Sequence, residues 1–205
     1  MKILPATPLS SVKTARFIQV EWRFLLFGMI MAFWSSLGQT FFISLFSDDI
    51  RAALGLSHGD FGTYYAIATT ASAISLLWLG KLADTMRLAK LALLILVSLC
   101  LAAIFFSQIN SLITLIIGLY LLRMFGQGMM THVYSTAMAR RYVAARGRAI
   151  SIAQLGHTIS ESVGPAGIVV LHALLDWRTI WIILPLLALI LVAPFLRQLT
   201  RRTAL

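Results

Sequence analysis

Apolar residues gather into six long runs, at about 24–46, 61–82, 88–107, 111–135, 149–173 and 178–196, separated by short charged or turn-forming stretches. Each run is close to the roughly 20 residues a helix needs to cross a bilayer. None shows the strict alternation of a barrel strand, so helices are the spanning form expected. Ahead of the second run, Ser57-His58-Gly59-Asp60 places a hydroxyl three residues before an acid, a capping-box start for a helix. The pattern predicts an all-α, polytopic membrane bundle of six transmembrane helices.

Composition narrows the possibilities. Of 205 residues, 60% are hydrophobic and 12% charged, with a mean hydropathy of +0.89. That leaves too little polar surface for a water-facing globule and no length for a soluble catalytic domain. Residues 1–23 lack an apolar core, and the first apolar run is too long for a signal-peptide core, so it is expected to stay as a span. Cys100 stands alone in an apolar run, so no disulfide or thiolate cluster is expected. His132, His157 and His172 read as hydrogen-bonded packing and have no metal-ligand spacing. No metal or other cofactor is expected. An intramembrane serine protease would need a glycine-flanked serine and a histidine base, and no such element is present, so the chain reads as a non-enzyme.

The net charge of +10 becomes an orientation once it is placed along the chain. Fourteen of the seventeen basic residues fall on one side: Lys2, Lys13, Arg16 and Arg23; Lys81, Arg87 and Lys90; Arg140, Arg141, Arg146 and Arg148; Arg197, Arg201 and Arg202. Only Arg51 and Arg178 lie opposite, and Arg123 falls inside a span. The bias predicts cytoplasmic N- and C-termini in a multi-pass protein of the bacterial inner membrane. Charge spread over four anchors is not a nucleic-acid patch, so no nucleic-acid partner is expected.

Two ionisable residues need an explanation. Arg123 is about 12 residues into the fourth run, roughly 18 Å deep, and Glu161 reaches a similar depth in the fifth. A charge there costs at least about 2.5 kcal/mol unless paired or hydrated. Either the two form a structural ion pair, or they line a water-filled path in which Arg123 meets an anionic solute or organises coupling and Glu161 carries a proton. Tyr120, Arg123, Gln127, Thr131 and Tyr134 recur on one face of the fourth helix, and Ser35 and Gln39 on one face of the first. Such stripes line a cavity or hydrogen-bond between helices. Ala66, Ala68, Ala71, Ser72, Ala73 and Ser75 of the second run, like Gly126 and Gly128 of the fourth, read as close-packing surfaces.

Four motifs carry a resemblance. Gly80-Lys81-Leu82-Ala83-Asp84 stands between the second and third runs, Arg123-Met124-Phe125-Gly126-Gln127-Gly128 in the fourth, Arg146-Gly147-Arg148-Ala149 at the start of the fifth, and Gly164-Pro165-Ala166-Gly167 inside it. In order and position the set resembles the major facilitator superfamily over the whole chain. Thr85-Met86-Arg87 departs from the basic-then-glycine turn usual after the acid, and Ser160 replaces a glycine of the fifth-span motif.

The resemblance implies that residues 1–205 form an N-terminal six-helix bundle built as a 3+3 inverted repeat, with the C-terminal half absent from this chain. It implies secondary active, proton-coupled transport of a small solute by alternating access, by a half-length or truncated permease. Arg197–Leu205 would be the start of a central linker. The competing reading is a non-transporting six-span subunit or an inactive truncation remnant. Partners would be the lipid bilayer, a small-molecule substrate and a second six-helix half, in the same or another chain. Ser35, Gln39, Tyr120, Gln127 and Tyr134, with Arg123 and Glu161, would serve substrate and coupling. Gly80, Asp84, Arg87 and Lys90 would form a conformational latch against the other half, and Gly126, Gly128, Gly164, Pro165 and Gly167 would pack or kink helices.

Overall fold

The computed structural model describes residues 14–200, which are helical almost throughout and contain no strand. Along the chain run α1 (Thr14–Trp34), a 3₁₀ turn (Ser35–Gly38), α2 (Thr40–Ser44), α3 (Ser47–Leu54), α4 (His58–Leu79), α5 (Leu82–Thr85), α6 (Leu88–Ser107) and α7 (Leu112–Leu122). A π-helical segment (Arg123–Met130) then leads into α8 (Thr131–Arg141), α9 (Arg146–His172), α10 (Trp177–Val192) and α11 (Leu196–Leu199). Lys2, Lys13, Arg201 and Arg202 of the charge tally lie outside the described residues.

Four helical stretches are long and apolar enough to cross a membrane: Arg16–Ser44, His58–Thr85, Leu88–Ser107 and Leu112–Arg141. The other two of the six expected spans fall short for different reasons. With 27 residues α9 has the length, but Gln154, His157, Thr158, Ser160, Glu161 and Ser162 in its middle dilute its apolar character. The apolar α10 has only 16 residues: Ala193 keeps a helical conformation as its C-cap, but Pro194 has no N–H with which to continue the ladder, so the helix ends before the apolar run does.

Local chemistry sets the helix ends. Ser57 Oγ accepts from the Asp60 N–H at 3.1 Å while the Asp60 carboxylate accepts from the Ser57 N–H at 3.1 Å, the expected capping box. Ser111 and Thr114 form a second one at the start of α7. Gly55 closes α3 at φ +65°, a left-handed position that a side chain would strain.

The bundle is assembled from helix pairs. Helix α1 lies on α9 through Gly28 and Gly156: a Cβ on Gly156 would collide with the Met29 carbonyl, and one on Gly28 would stand 2.8 Å from the Ala153 Cβ. Helix α6 meets α10, where the buried Cys100 thiol donates to the Pro185 carbonyl at 3.0 Å and Arg178 donates to the Ser107 carbonyl at 2.6 Å. Phe42, Phe46 and Phe106 pack around the Trp181 ring. Helix α4 is the least enclosed. Of its small residues only Ala68 and Ser72 are buried, while Ala66, Ala71 and Ala73 are exposed, so the expected close-packing surface on this helix reduces to two positions.

Candidate functional site

The first spanning stretch breaks in its middle. Helix α1 stops at Trp34, Ser35–Gly38 tighten into a 3₁₀ turn, Gln39 is extended (φ −87°, ψ 154°), and α2 begins at Thr40. Ser35 Oγ donates to the Ala32 carbonyl at 2.7 Å, offering that backbone group an alternative to the helix ladder. Against this break the fourth stretch widens into its π segment, a form that carries one extra residue per turn and recurs at functional sites. The two irregular stretches cross on glycine. A Cβ on Gly126 would stand 2.6 Å from the Gly38 Cα, and one on Gly38 would collide with the Leu122 carbonyl, so only side-chain-free residues let the backbones meet.

Beside the crossing lies an open cavity of about 370 Å³ lined by Ser35, Gln39, Thr131, Tyr134, Gln154, His157 and Thr158. Ser35, Gln39, Thr131 and Tyr134 belong to the polar stripes of the first and fourth runs. Gln154, His157 and Thr158 come from α9 and escaped the sequence reading, which took His157 for packing. Their spacing of three and four was a legible signal of a third polar face.

The fourth-helix stripe divides between its two readings. Tyr120 donates to Ser75 Oγ at 2.9 Å, an interhelical bond to α4, whereas Thr131 and Tyr134 line the cavity. Arg123 is 6% exposed; its Nη1 donates to the Gly38 carbonyl at 3.3 Å and to Thr40 Oγ1 at 3.1 Å, and its guanidinium lies 5.2 Å from the Tyr65 ring centre. Tyr65 also donates to Thr40 Oγ1 at 2.9 Å, tying α4 to the break. Among the described residues four buried polar atoms around the π segment have no hydrogen-bond partner, Arg123 Nε, Gln127 Oε1, Thr131 Oγ1 and Thr69 Oγ1, against two elsewhere, Arg51 Nε and Trp181 Nε1. Buried polar groups are otherwise satisfied with few exceptions, which singles this region out.

The buried pairing of Arg123 with Glu161 does not form: Arg123 turns onto the first helix, Glu161 is exposed on α9, and no ion pair joins them among the described residues. Glu161 continues the α9 face that carries Gln154, His157 and Thr158, beyond the cavity lining. Nor do Gly164 and Gly167 pack against another helix. A Cβ on Gly167 would meet nothing within 4 Å and one on Gly164 would reach only the Phe41 ring edge at 3.8 Å and its own Ser160 hydroxyl at 4.0 Å, and α9 runs through Pro165 as one helix. Both glycines line an apolar groove of about 430 Å³ between α9 and α10. Gly128 makes ordinary contact with Leu76 of α4, at 3.5 Å for a built Cβ. Among the described residues no cluster of His, Cys, Asp or Glu could hold a metal ion.

A family profile, Major Facilitator Superfamily, matches residues 28–204. The chain belongs to the Major Facilitator Superfamily. It is therefore of a membrane-transporter family, which fits both a multi-pass membrane protein and a non-enzyme. No curated protein and no solved structure matches it.

The loop that holds Gly80 and Asp84 is pinned to α8 within this chain. His132 Nε2 is 3.2 Å from the Gly80 carbonyl, Arg140 Nη1 donates to the Ala83 carbonyl at 3.0 Å, and Arg140 Nη2 forms an ion pair with Asp84. Arg87 and Lys90 are exposed and join no ion pair among the described residues. His132 and Arg140, the second and tenth residues of α8, were not expected as loop anchors. A further cluster also went unread: Glu21 Oε2 accepts from Arg141 Nη2 at 2.9 Å, from Arg141 Nε at 3.2 Å and from the Tyr142 hydroxyl at 2.6 Å. Burial, followed by the hydrogen bond to Glu21 and that carboxylate's charge, pushes the Tyr142 phenol well above its ordinary value of 10.0.

Proposed function

We propose that the protein carries out proton-coupled secondary active transport of a small solute, by alternating access between this bundle and a second six-helix half of the same or another chain. One observation supports this above the rest: a polar cavity adjoins the place where two membrane-spanning stretches both leave the α-helical ladder. In a bilayer, irregular backbone is tolerated only where protein encloses it or where it lines a watery path. Hydroxyl, amide, phenol and imidazole groups around about 370 Å³ suit a small polar solute.

In this reading all six long helices cross the bacterial inner membrane, α9 and α10 included, with both termini in the cytoplasm as the basic residues require. Arg123 orders the solute or the coupling site next to the cavity, and Glu161 exchanges protons at its rim. Gly80, Asp84, Arg87 and Lys90 latch onto the second half, and Arg140 anchors that latch to this bundle. Gln39, Gln127 and Tyr120 tune the faces that slide during the transition.

The test is uptake into proteoliposomes that carry this chain with its second half, offered organic acids, sugars and amines with and without a proton gradient. Accumulation of at least one solute above protein-free vesicles, raised by the gradient, is expected. Folded protein that accumulates none of them under any gradient would defeat the proposal. Glu161→Gln is expected to blunt the gradient dependence; if it does not, Glu161 is no proton carrier.

A further inference from the structure

His157 contributes the imidazole of the cavity lining, and it touches both sides of the break in the first helix. Its Nδ1 lies 3.5 Å from Ser36 Oγ, inside the 3₁₀ turn, and its ring meets the Phe41 ring of α2 edge-on, with centres 5.8 Å apart. Ser36 is buried, and this is the only hydrogen bond of its side chain among the described residues.

We infer that His157 is a proton-binding residue whose charge sets the state of the Ser35–Gly38 turn. With its proton on Nε2, the neutral ring accepts the Ser36 hydroxyl at Nδ1 and holds the turn against α9. The imidazolium carries N–H on both nitrogens and accepts nothing, so Nδ1 now donates to Ser36 Oγ, and the buried Ser36 hydroxyl proton must find another acceptor, which releases the turn to rearrange. The step is a proton transfer alone: the proton reaches the ring from the cavity and returns to it. Released, the break would change how the two halves of the first helix meet Gly126 and Arg123, which are held to Gly38 and Thr40.

The surroundings suit this role. From the fourth helix the Tyr134 phenol is the titratable group facing the ring; the first helix presents Ser35, Ser36 and Gln39, and α2 presents Phe41, none of them charged. Along α9 itself Glu161 stands one turn further on and is exposed. Arg123 is engaged on the Thr40 and Tyr65 side of the crossing. Amide oxygens of Gln39 and Gln154 in the lining can receive the imidazolium N–H groups. Imidazole is also the side chain whose charge ordinarily changes between about pH 5 and 8.

The inference rests on the proton-coupled reading and adds, to Glu161 at the rim, a second proton-binding group at His157 inside the cavity. It is tested on the detergent-solubilised chain by hydrogen–deuterium exchange of residues 35–39, corrected for intrinsic rate, between about pH 7.5 and about pH 5.5. Protection is expected to fall at least about threefold on acidification, and His157→Gln should abolish the change. Ser36→Ala, which keeps the ring, should give the low-protection state at both pH values. Protection that is unchanged in the wild type, or a change that survives His157→Gln, would overturn it. Gradient-dependent uptake measured in parallel separates the two claims. A pH-dependent turn with gradient-insensitive uptake sinks the coupling and spares His157; the reverse spares the coupling and sinks His157.

Discussion

Two polar clusters on the fourth helical stretch are built on opposite terms. At its end, Glu21 gathers three hydrogen bonds from Arg141 and Tyr142, while Arg141 stacks 4.4 Å above Phe24 and Tyr142 meets Phe17 edge-on at 5.1 Å. In its middle, Arg123 sits without a carboxylate, and Arg123 Nε, Gln127 Oε1 and Thr131 Oγ1, four residues apart in succession, have no partner. Both clusters bury charge. In one the partners all come from the fold; in the other the fold leaves hydrogen-bonding capacity unused, next to a cavity and between two irregular helices. Among the described residues the other buried polar atoms without a partner, Arg51 Nε and Trp181 Nε1, stand singly, so the cluster around Arg123 is where departures from local satisfaction gather, as they do at functional sites.

The comparison can be broken most directly at Arg123. Arg123→Met keeps an unbranched apolar stem and removes the charged head, so uptake is expected to fall more than about tenfold while thermal stability is unchanged or rises by about 1 kcal/mol. A large loss of stability would show that Arg123 belongs with the clamp formed by Glu21, Arg141 and Tyr142. Glu21→Gln should do the reverse, costing about 3 kcal/mol in denaturant unfolding because it removes the buried carboxylate that accepts from both Arg141 and Tyr142. Intact stability in that variant would reduce the clamp to a surface contact.

Glycines sharpen the same contrast at smaller scale. Gly156→Ala puts a methyl on the Met29 carbonyl and should cost about 2 kcal/mol; Gly167→Ala, over open space, should stay within about 0.5 kcal/mol, both by thermal melt. An effect smaller than that at Gly156 concerns Tyr142. Its folded pKa is raised, so its stabilisation is complete below the ordinary value of 10.0 and declines as pH rises beyond it, since the unfolded phenol ionises first. Tyr142→Phe should cost about 1 kcal/mol at neutral pH and flatten the loss of stability on the alkaline side.

Much of this molecule could be read before folding it. The capping box at Ser57 and Asp60, the helical class and the superfamily motifs depend on spacing within a few residues, which the chain carries locally. The membership that Gly80–Asp84 and Arg123–Gly128 suggest agrees with the profile match over residues 28–204. The Arg123–Glu161 pairing failed because depth says nothing about azimuth: two residues at one level can face different neighbours. Gly164 and Gly167 carry motif spacing but no other helix's backbone lies against them among the described residues, while Gly28, Gly38 and Gly156 carry no motif and sit where backbones meet.

By itself, then, the sequence determined that this chain is a helical membrane protein, which stretches are apolar enough to leave water, and the superfamily to which it belongs. Those properties follow from composition and short-range periodicity. Only the tertiary structure decided which partner each charge would find: Arg140 for Asp84, Glu21 for Arg141, Thr40 and the Gly38 carbonyl for Arg123. It also decided that Gln154, His157 and Thr158 would share a cavity with Ser35 and Tyr134. Residues more than a hundred positions apart meet there because two glycines let two broken helices cross, and the rotation of one helix against another is set by packing, which no local pattern records.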